Sequence, residues 1–182
     1  ELEVSLVDAA NPCVFVAAAT LDYTGWELPP GMENDRTLMA LLEDIRTAAS
    51  VAMGISADLV EARGIASVPK VALIAPPGEW RTLSGRTLTA ADMDISVRMI
   101  SVGQAHRAVP LTGAMCLAAA SKVPGSLPHT LIEARDLRPL RIGHPSGITP
   151  VEAVPADSRE PAIDRIAVFR TTRRLFEGFV YC

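Results

Sequence analysis

Aromatic residues are scarce, with 2 Trp, 2 Tyr and 4 Phe making up 4% of the 182 residues, so a core must be built from Ala, Val, Leu, Ile and Met. Cysteine is equally sparse. Cys13, Cys116 and Cys182 are an odd set with no close pair, which excludes a disulfide framework and makes a reducing cytoplasm the expected compartment. No CxxC or HExxH spacing occurs, and His106, His129 and His144 fall on separate segments, so no metal site is expected. Positive charge is not in excess: 17 Lys and Arg against 21 Asp and Glu leave a net charge of −4, which argues against a nucleic-acid partner. The one basic run, Arg170, Arg173 and Arg174, is broken by Thr171 and Thr172 and reads as a solvated strand face. No apolar stretch approaches the ~18 residues of a membrane span, so no membrane partner is expected. The opening ELEVSLVDAANP has neither an initiator Met nor a basic leader, and it reads as the middle of a longer protein.

What remains is a composition that folds. Hydrophobic residues are 49% and mean hydropathy is +0.25, enough for one domain or one large lobe. LEVSLVDA and CVFVAAA are rich in β-branched residues and predict two strands joined through Ala10-Asn11-Pro12. LDYTGWELPPG reads as a loop punctuated by Pro29, Pro30 and Gly31. Asn34 or Asp35 then caps a helix running from about Arg36 to Met53. Its apolar residues Leu38, Leu41, Leu42, Ile45, Ala49 and Ala52 recur at helical spacing, and Gly54 sits at its end. That helix is amphipathic and belongs on the outside.

ADLVEARG is a second short helix, VPKVALIAPP a strand, and SGRTLTAADMDISVRMISVG a turn and a long strand. TGAMCLAAASKV, from Thr112 to Val123, is different: small and apolar nearly all round, it predicts a helix buried on every side. From His129 onward HTLIEAR, LRPLRIG, ITPVEAVP and IDRIAVFRTTRRLFEGFVYC all read as strands. Strands wrapped round one buried central helix, with a second helix outside, make an α+β lobe.

Three places carry candidate chemistry. The loop HRAVPLTGA leads into the buried helix, whose first N–H groups lack intrahelical partners and carry the positive end of the dipole. Thr112, Gly113 and Ala114 are small enough to leave those groups open to a carboxylate or phosphate, although Thr-Gly before a helix is also an ordinary cap. His106 and Arg107 just upstream would add a titratable donor and a bidentate cation. Gly143-His144-Pro145-Ser146-Gly147 can turn amides inward or form a plain hairpin loop. Asn11-Pro12-Cys13 can present an amide to a ligand or stabilise its own turn; Cys13, beside Val14-Phe15-Val16, reads as a small core residue unless its pKa is lowered.

In order along the chain, NPCVFV, TGxEL, IRxAAxxxMG, PKVALIA, DxDIxVRMISVGQAHRAVPLTGAMCLAAA, VPGSL, RIGHPSG and RTTRRLFEGFVY resemble the second half of PrpF-type proteins, the methylaconitate isomerase and oxalomesaconate tautomerase family. The helix-start segment, IGHPSG and RTTRRLFEG are its most specific parts.

The resemblance implies a diaminopimelate-epimerase-like fold, in which two similar lobes, each a strand-rich barrel round a central helix, face each other across a cleft. It implies proton transfer between carbons of an unsaturated tricarboxylate (2-methylaconitate, aconitate or 4-oxalomesaconate), with no organic cofactor or metal. Thr112-Gly113-Ala114 match the helix start that holds a substrate carboxylate, Asn11-Pro12 match the epimerases' Asn-Pro, and His106 and Arg107 occupy a substrate-facing loop. His144 and Ser146 match family residues of unassigned role. Pro110 stands where a two-thiol epimerase has its second Cys, which argues against a racemase.

Family members are about twice this long, and their catalytic Cys and Lys belong to a first lobe, so that N-terminal lobe is the implied partner. A second copy of the chain, as a homo-oligomer, is another way to cover the exposed cleft face. The competing readings are another enzyme of the same fold, a racemase or phenazine-type isomerase, and a non-catalytic binding lobe.

Overall fold

A computed structural model describes residues 2–132, 137–157, 162–169 and 174–179. The chain opens with β1 (Ser5–Asp8) and β2 (Pro12–Ala17), then α1 (Pro29–Asn34), α2 (Arg36–Ala52) and α3 (Leu59–Gly64). Next come β3 (Lys70–Ala75), the small hairpin β4 (Trp80–Arg81) and β5 (Thr87–Leu88), β6 (Ile95–Ser101) and β7 (Gln104–Ala105). The second half holds α4 (Leu111–Ala120), α5 (Leu127–Leu131), β8 (Leu140–His144), β9 (Gly147–Pro155) and β10 (Ile163–Val168).

One mixed sheet runs β1-β2-β3-β6-β8-β9-β10, with β7 beside β6. The β2–β3 and β6–β8 pairs are parallel and the others antiparallel. Every residue of the central strand β6 is buried, as expected for a strand covered on both faces. Alternation divides the sheet into two cores. Cys13, Phe15, Ala72, Ile74, Val97 and Met99 face α4, whereas Val14, Val16, Val71, Leu73 and Ile100 face α2. Helix α4 touches β1 and β2 at one edge and β9 and β10 at the other, so the sheet curls round it. Among the described residues β1 and β10 do not pair, and the α+β lobe is therefore a half-barrel rather than a closed one.

The helices form for the reasons expected. Asp35 caps α2 by accepting from the Leu38 N–H at 3.0 Å, and Gly54 follows the helix at φ 71°. Leu38, Leu42 and Ala49 bury the inner stripe of α2 while Leu41 stays exposed. Asp35→Ala should cost about 1 kcal/mol in a urea titration, because the freed N–H regains no partner. Helix α4 has no polar stripe, and Gly113, Ala114 and Cys116 through Ala120 are all buried.

Three segments differ from expectation. Pro29 and Pro30 start α1 instead of forming a loop, since the first helical turn tolerates their missing N–H groups. His129 and Thr130 lie in α5, not a strand, because Ser126 caps that turn through the His129 N–H at 3.2 Å. The final strand ends at Val168; residues 174–179 are not in a strand, with Arg174 exposed and paired to Glu177 at 2.7 Å. The rest of the basic run, 170–173, lies outside the described residues. Among the described residues, no helix is long and apolar enough to cross a membrane, and no three His, Cys, Asp or Glu are grouped to hold a metal.

Candidate functional site

Strand register brings the start of β2, the start of β3 and the end of β6 to one end of the concave face. Cys13 pairs with Lys70, Ala72 pairs with Met99, and Gly113 of α4 packs on Met99. The first turn of α4 therefore lies over this end. Pro110 is its N-cap and supplies no side-chain cap, and Thr112 is already inside the helix, so it does not cap. The Ala114 N–H is taken by the Pro110 carbonyl at 2.9 Å, which moves the unsatisfied amides to Leu111, Thr112 and Gly113. Gly113 owes its identity first to packing: a Cβ there would sit 2.8 Å from the Met99 Cε.

Two polar atoms at this end are buried and have no partner among the described residues: the Asn11 Oδ1 and the His106 Nε2. Asn11 sits in the β1–β2 connection, just after Ala10 at φ 68°. His106 is held by its own N–H, which donates to the Met99 carbonyl at 2.8 Å. Burial, and then the Lys70 charge, push the His106 imidazole below its ordinary pKa, so it is neutral at pH 7. It borders an open polar cavity of about 530 Å³ that Arg107, exposed, and Glu33 also line.

Lys70 is absent from the residues that sequence pattern brings forward, although a lone cation leading an otherwise apolar strand is a signal of its own. It is half-buried, and its Nζ donates to the Ser101 Oγ at 3.0 Å. The segment before it is pinned: the Arg46 Nη1 donates to the Val68 carbonyl at 3.2 Å, and the Val102 N–H donates to the Ala66 carbonyl at 3.3 Å.

The thiols beside it are core groups. Cys13 and Cys116 are both 0% exposed, and the Cys13 pKa is pushed up, chiefly by its hydrogen bond with Cys116 and then by burial. Cys13 thus stays protonated.

His144 and Ser146 are structural neighbours of the site. The His144 Nδ1 accepts from the Ser146 N–H at 3.2 Å, which leaves Nε2 to carry the proton in its 3.0 Å contact with the Thr149 Oγ1. The Ser146 Oγ donates to the Arg107 carbonyl at 2.6 Å, tying the β8–β9 hairpin to the loop before α4. His144 is 5% exposed and, with Val109, Leu111 and Phe169, lines a cavity of about 180 Å³. Of the residues expected from sequence, Asn11, His106, Thr112 and Gly113 lie at the same end of the sheet. Arg107 sits at the rim, while His144 and Ser146 hold the loop in place.

These features define a lobe of mixed α+β structure whose curled half-barrel sheet encloses one helix and leaves that helix's first turn uncapped. The chain belongs to the PrpF family: the family model described as PrpF protein matches residues 1–182. It is 33% identical over 184 residues to a 3-methylitaconate isomerase of Eubacterium barkeri, covering 100% of this chain and 48% of that one. A 2-methyl-aconitate isomerase of Shewanella oneidensis is 33% identical over 177 residues, covering 97% and 45%. A (4E)-oxalomesaconate Delta-isomerase of a Novosphingobium species is 29% identical, covering 99% and 46%. The crystal structure of a methylitaconate-delta-isomerase superposes with a TM-score of 0.87 at 32% identity, over 98% of this chain and 46% of that one. The chain thus spans about half the length of the curated relatives it matches.

Proposed function

We propose that this chain is the substrate-binding half of a cofactor-independent isomerase that shifts a double bond in an unsaturated di- or tricarboxylate by proton transfer. In this reading it is the C-terminal lobe of a two-lobe, diaminopimelate-epimerase-like protein, and the proton-transferring base belongs to the other lobe. The observation that carries the reading is the orphaned buried His106 Nε2, a donor to a carboxylate when it carries the ring proton, at the end of the sheet where the first turn of α4 lies. A buried polar atom without a partner costs free energy until something supplies one.

The chemistry fits the relatives' names, which are isomerases of carboxylic acids. Taking a proton from carbon next to a carboxylate spreads negative charge onto that carboxylate. Fixed N–H donors and the positive end of α4 stabilise such charge without reorganising. Proton transfer itself needs only a placed base and acid. Cys13, protonated and out of reach of solvent, does not supply the base.

His106→Ala is the direct test, titrated with 2-methylaconitate by calorimetry. Binding should weaken about 10- to 30-fold while the melting temperature stays level or rises, because the imidazole nitrogen that is lost stabilises nothing in the empty lobe. Unchanged binding together with a lower melting temperature would make His106 a packing residue and remove the support for this site.

A further inference from the structure

Lys70 presents an ammonium group at the same end of the concave face. Among the described residues its one partner is the Ser101 hydroxyl at 3.0 Å, and no carboxylate lies within ion-pair distance. Asp8, whose charge reaches Cys13, is exposed and makes no ion pair with it. The His106 imidazole feels the Lys70 charge. A half-buried ammonium with donors to spare at the concave face is suited to hold an anion.

The donors are also specific. Two ammonium hydrogens remain after the Ser101 bond, and Ser101, 6% exposed, accepts from Lys70 and keeps its own O–H to donate. We propose that Lys70 and Ser101 together hold a second carboxylate of the substrate, separate from the one on the α4 amides, and so select di- and tricarboxylates over monocarboxylates. This rests on the reading of the α4 end as the first carboxylate's site.

The test is a titration of the native protein and its Lys70→Met, Lys70→Arg and Ser101→Ala variants. The probes are methylitaconate, which has two carboxylates, and tiglate, which has one. Methionine keeps the stem's packing, and circular dichroism melts check that each variant folds. Lys70→Met should weaken methylitaconate about 30- to 100-fold, the worth of a charge-assisted pair of hydrogen bonds, and leave tiglate within about twofold. Lys70→Arg should restore most of the methylitaconate affinity, and Ser101→Ala should cost about 5-fold on methylitaconate alone. Equal losses for both acids would place Lys70 on the first carboxylate and overturn the proposal while leaving the α4 site standing. No loss for either acid would remove Lys70 from the site altogether. Failure of the native protein to bind either acid would instead overturn the α4 reading beneath it.

Discussion

Gly143→Ala should destabilise the lobe by about 3 kcal/mol, lowering the melting temperature by about 6–12 °C. The reason is a fixed sandwich on the convex side of β8. A Cβ at Gly143 would lie 2.5 Å from the Met93 Sδ and 2.7 Å from the Trp80 Cη2. Neither neighbour has room to retreat: Met93 is 2% exposed and Trp80 8%, and the Arg98 guanidinium stacks 4.6 Å from the centre of the Trp80 ring. Arg98 is itself held by donating through Nε to the Glu27 carbonyl at 2.5 Å and through Nη1 to the Val97 carbonyl at 3.0 Å. Gly31→Ala is the control. Its Cβ would meet nothing within 4 Å inside α1, and the change should be neutral or stabilise by up to about 1 kcal/mol. Equal effects at the two sites would mean that the ring stack yields cheaply and is not what fixes β8.

Acidification should cost a similar amount, about 3 kcal/mol between pH 6.5 and 4, through His144. Burial, followed by repulsion from Arg98, holds its pKa down at about 4, against 6.5 when it is free. The sign follows from the proton balance. Between those two values the unfolded chain binds a proton that the folded lobe refuses, so stability falls as pH falls through the window and levels off below pH 4. The structural cause is visible in the hydrogen bonds. His144 accepts the Ser146 N–H on Nδ1, and a second proton there would break that bond and loosen the hairpin that Ser146 ties to Arg107. His106 shifts in the same direction and adds to the slope. Urea titrations across this range should show the loss in the native chain and a much flatter profile in His144→Gln, whose amide donates and accepts at every pH. Parallel slopes in the two proteins would take the pH dependence away from His144.

Local signals carry much of the fold. Asp35 before the periodic run and Gly54 after it mark α2, and the missing polar stripe of TGAMCLAAASKV marks α4 as the enclosed helix. The α5 segment reads as a strand because the β-branched Thr130 and Ile132 outweigh the Ser-Leu-Pro helix start before them. The half-barrel's open edge is not readable at all, since whether β1 meets β10 depends on how far the sheet curls.

The site divides in the same way. Asn11, His106 and the α4 start announce themselves by residue type and by position at element ends. The placement of Lys70 arises from strand order: β3 lies between β2 and β6, and that long-range pairing sets its side chain beside Ser101. His144 and Ser146 attract notice as polar residues flanked by glycines. Their donors and acceptors prove to be spent on Thr149, on each other and on the Arg107 backbone.

The central claim is that this lobe binds the acid while the base lies elsewhere. The most direct test follows 2-methylaconitate isomerisation by ultraviolet absorbance, with this chain alone and then joined to the other half of a family-length protein. The account predicts no turnover from the chain alone and turnover from the joined protein, lost again in His106→Ala through a raised KM. Turnover by the isolated chain would contradict it and would place the proton-transferring group among these residues, with His106 and Cys13 as the first to examine.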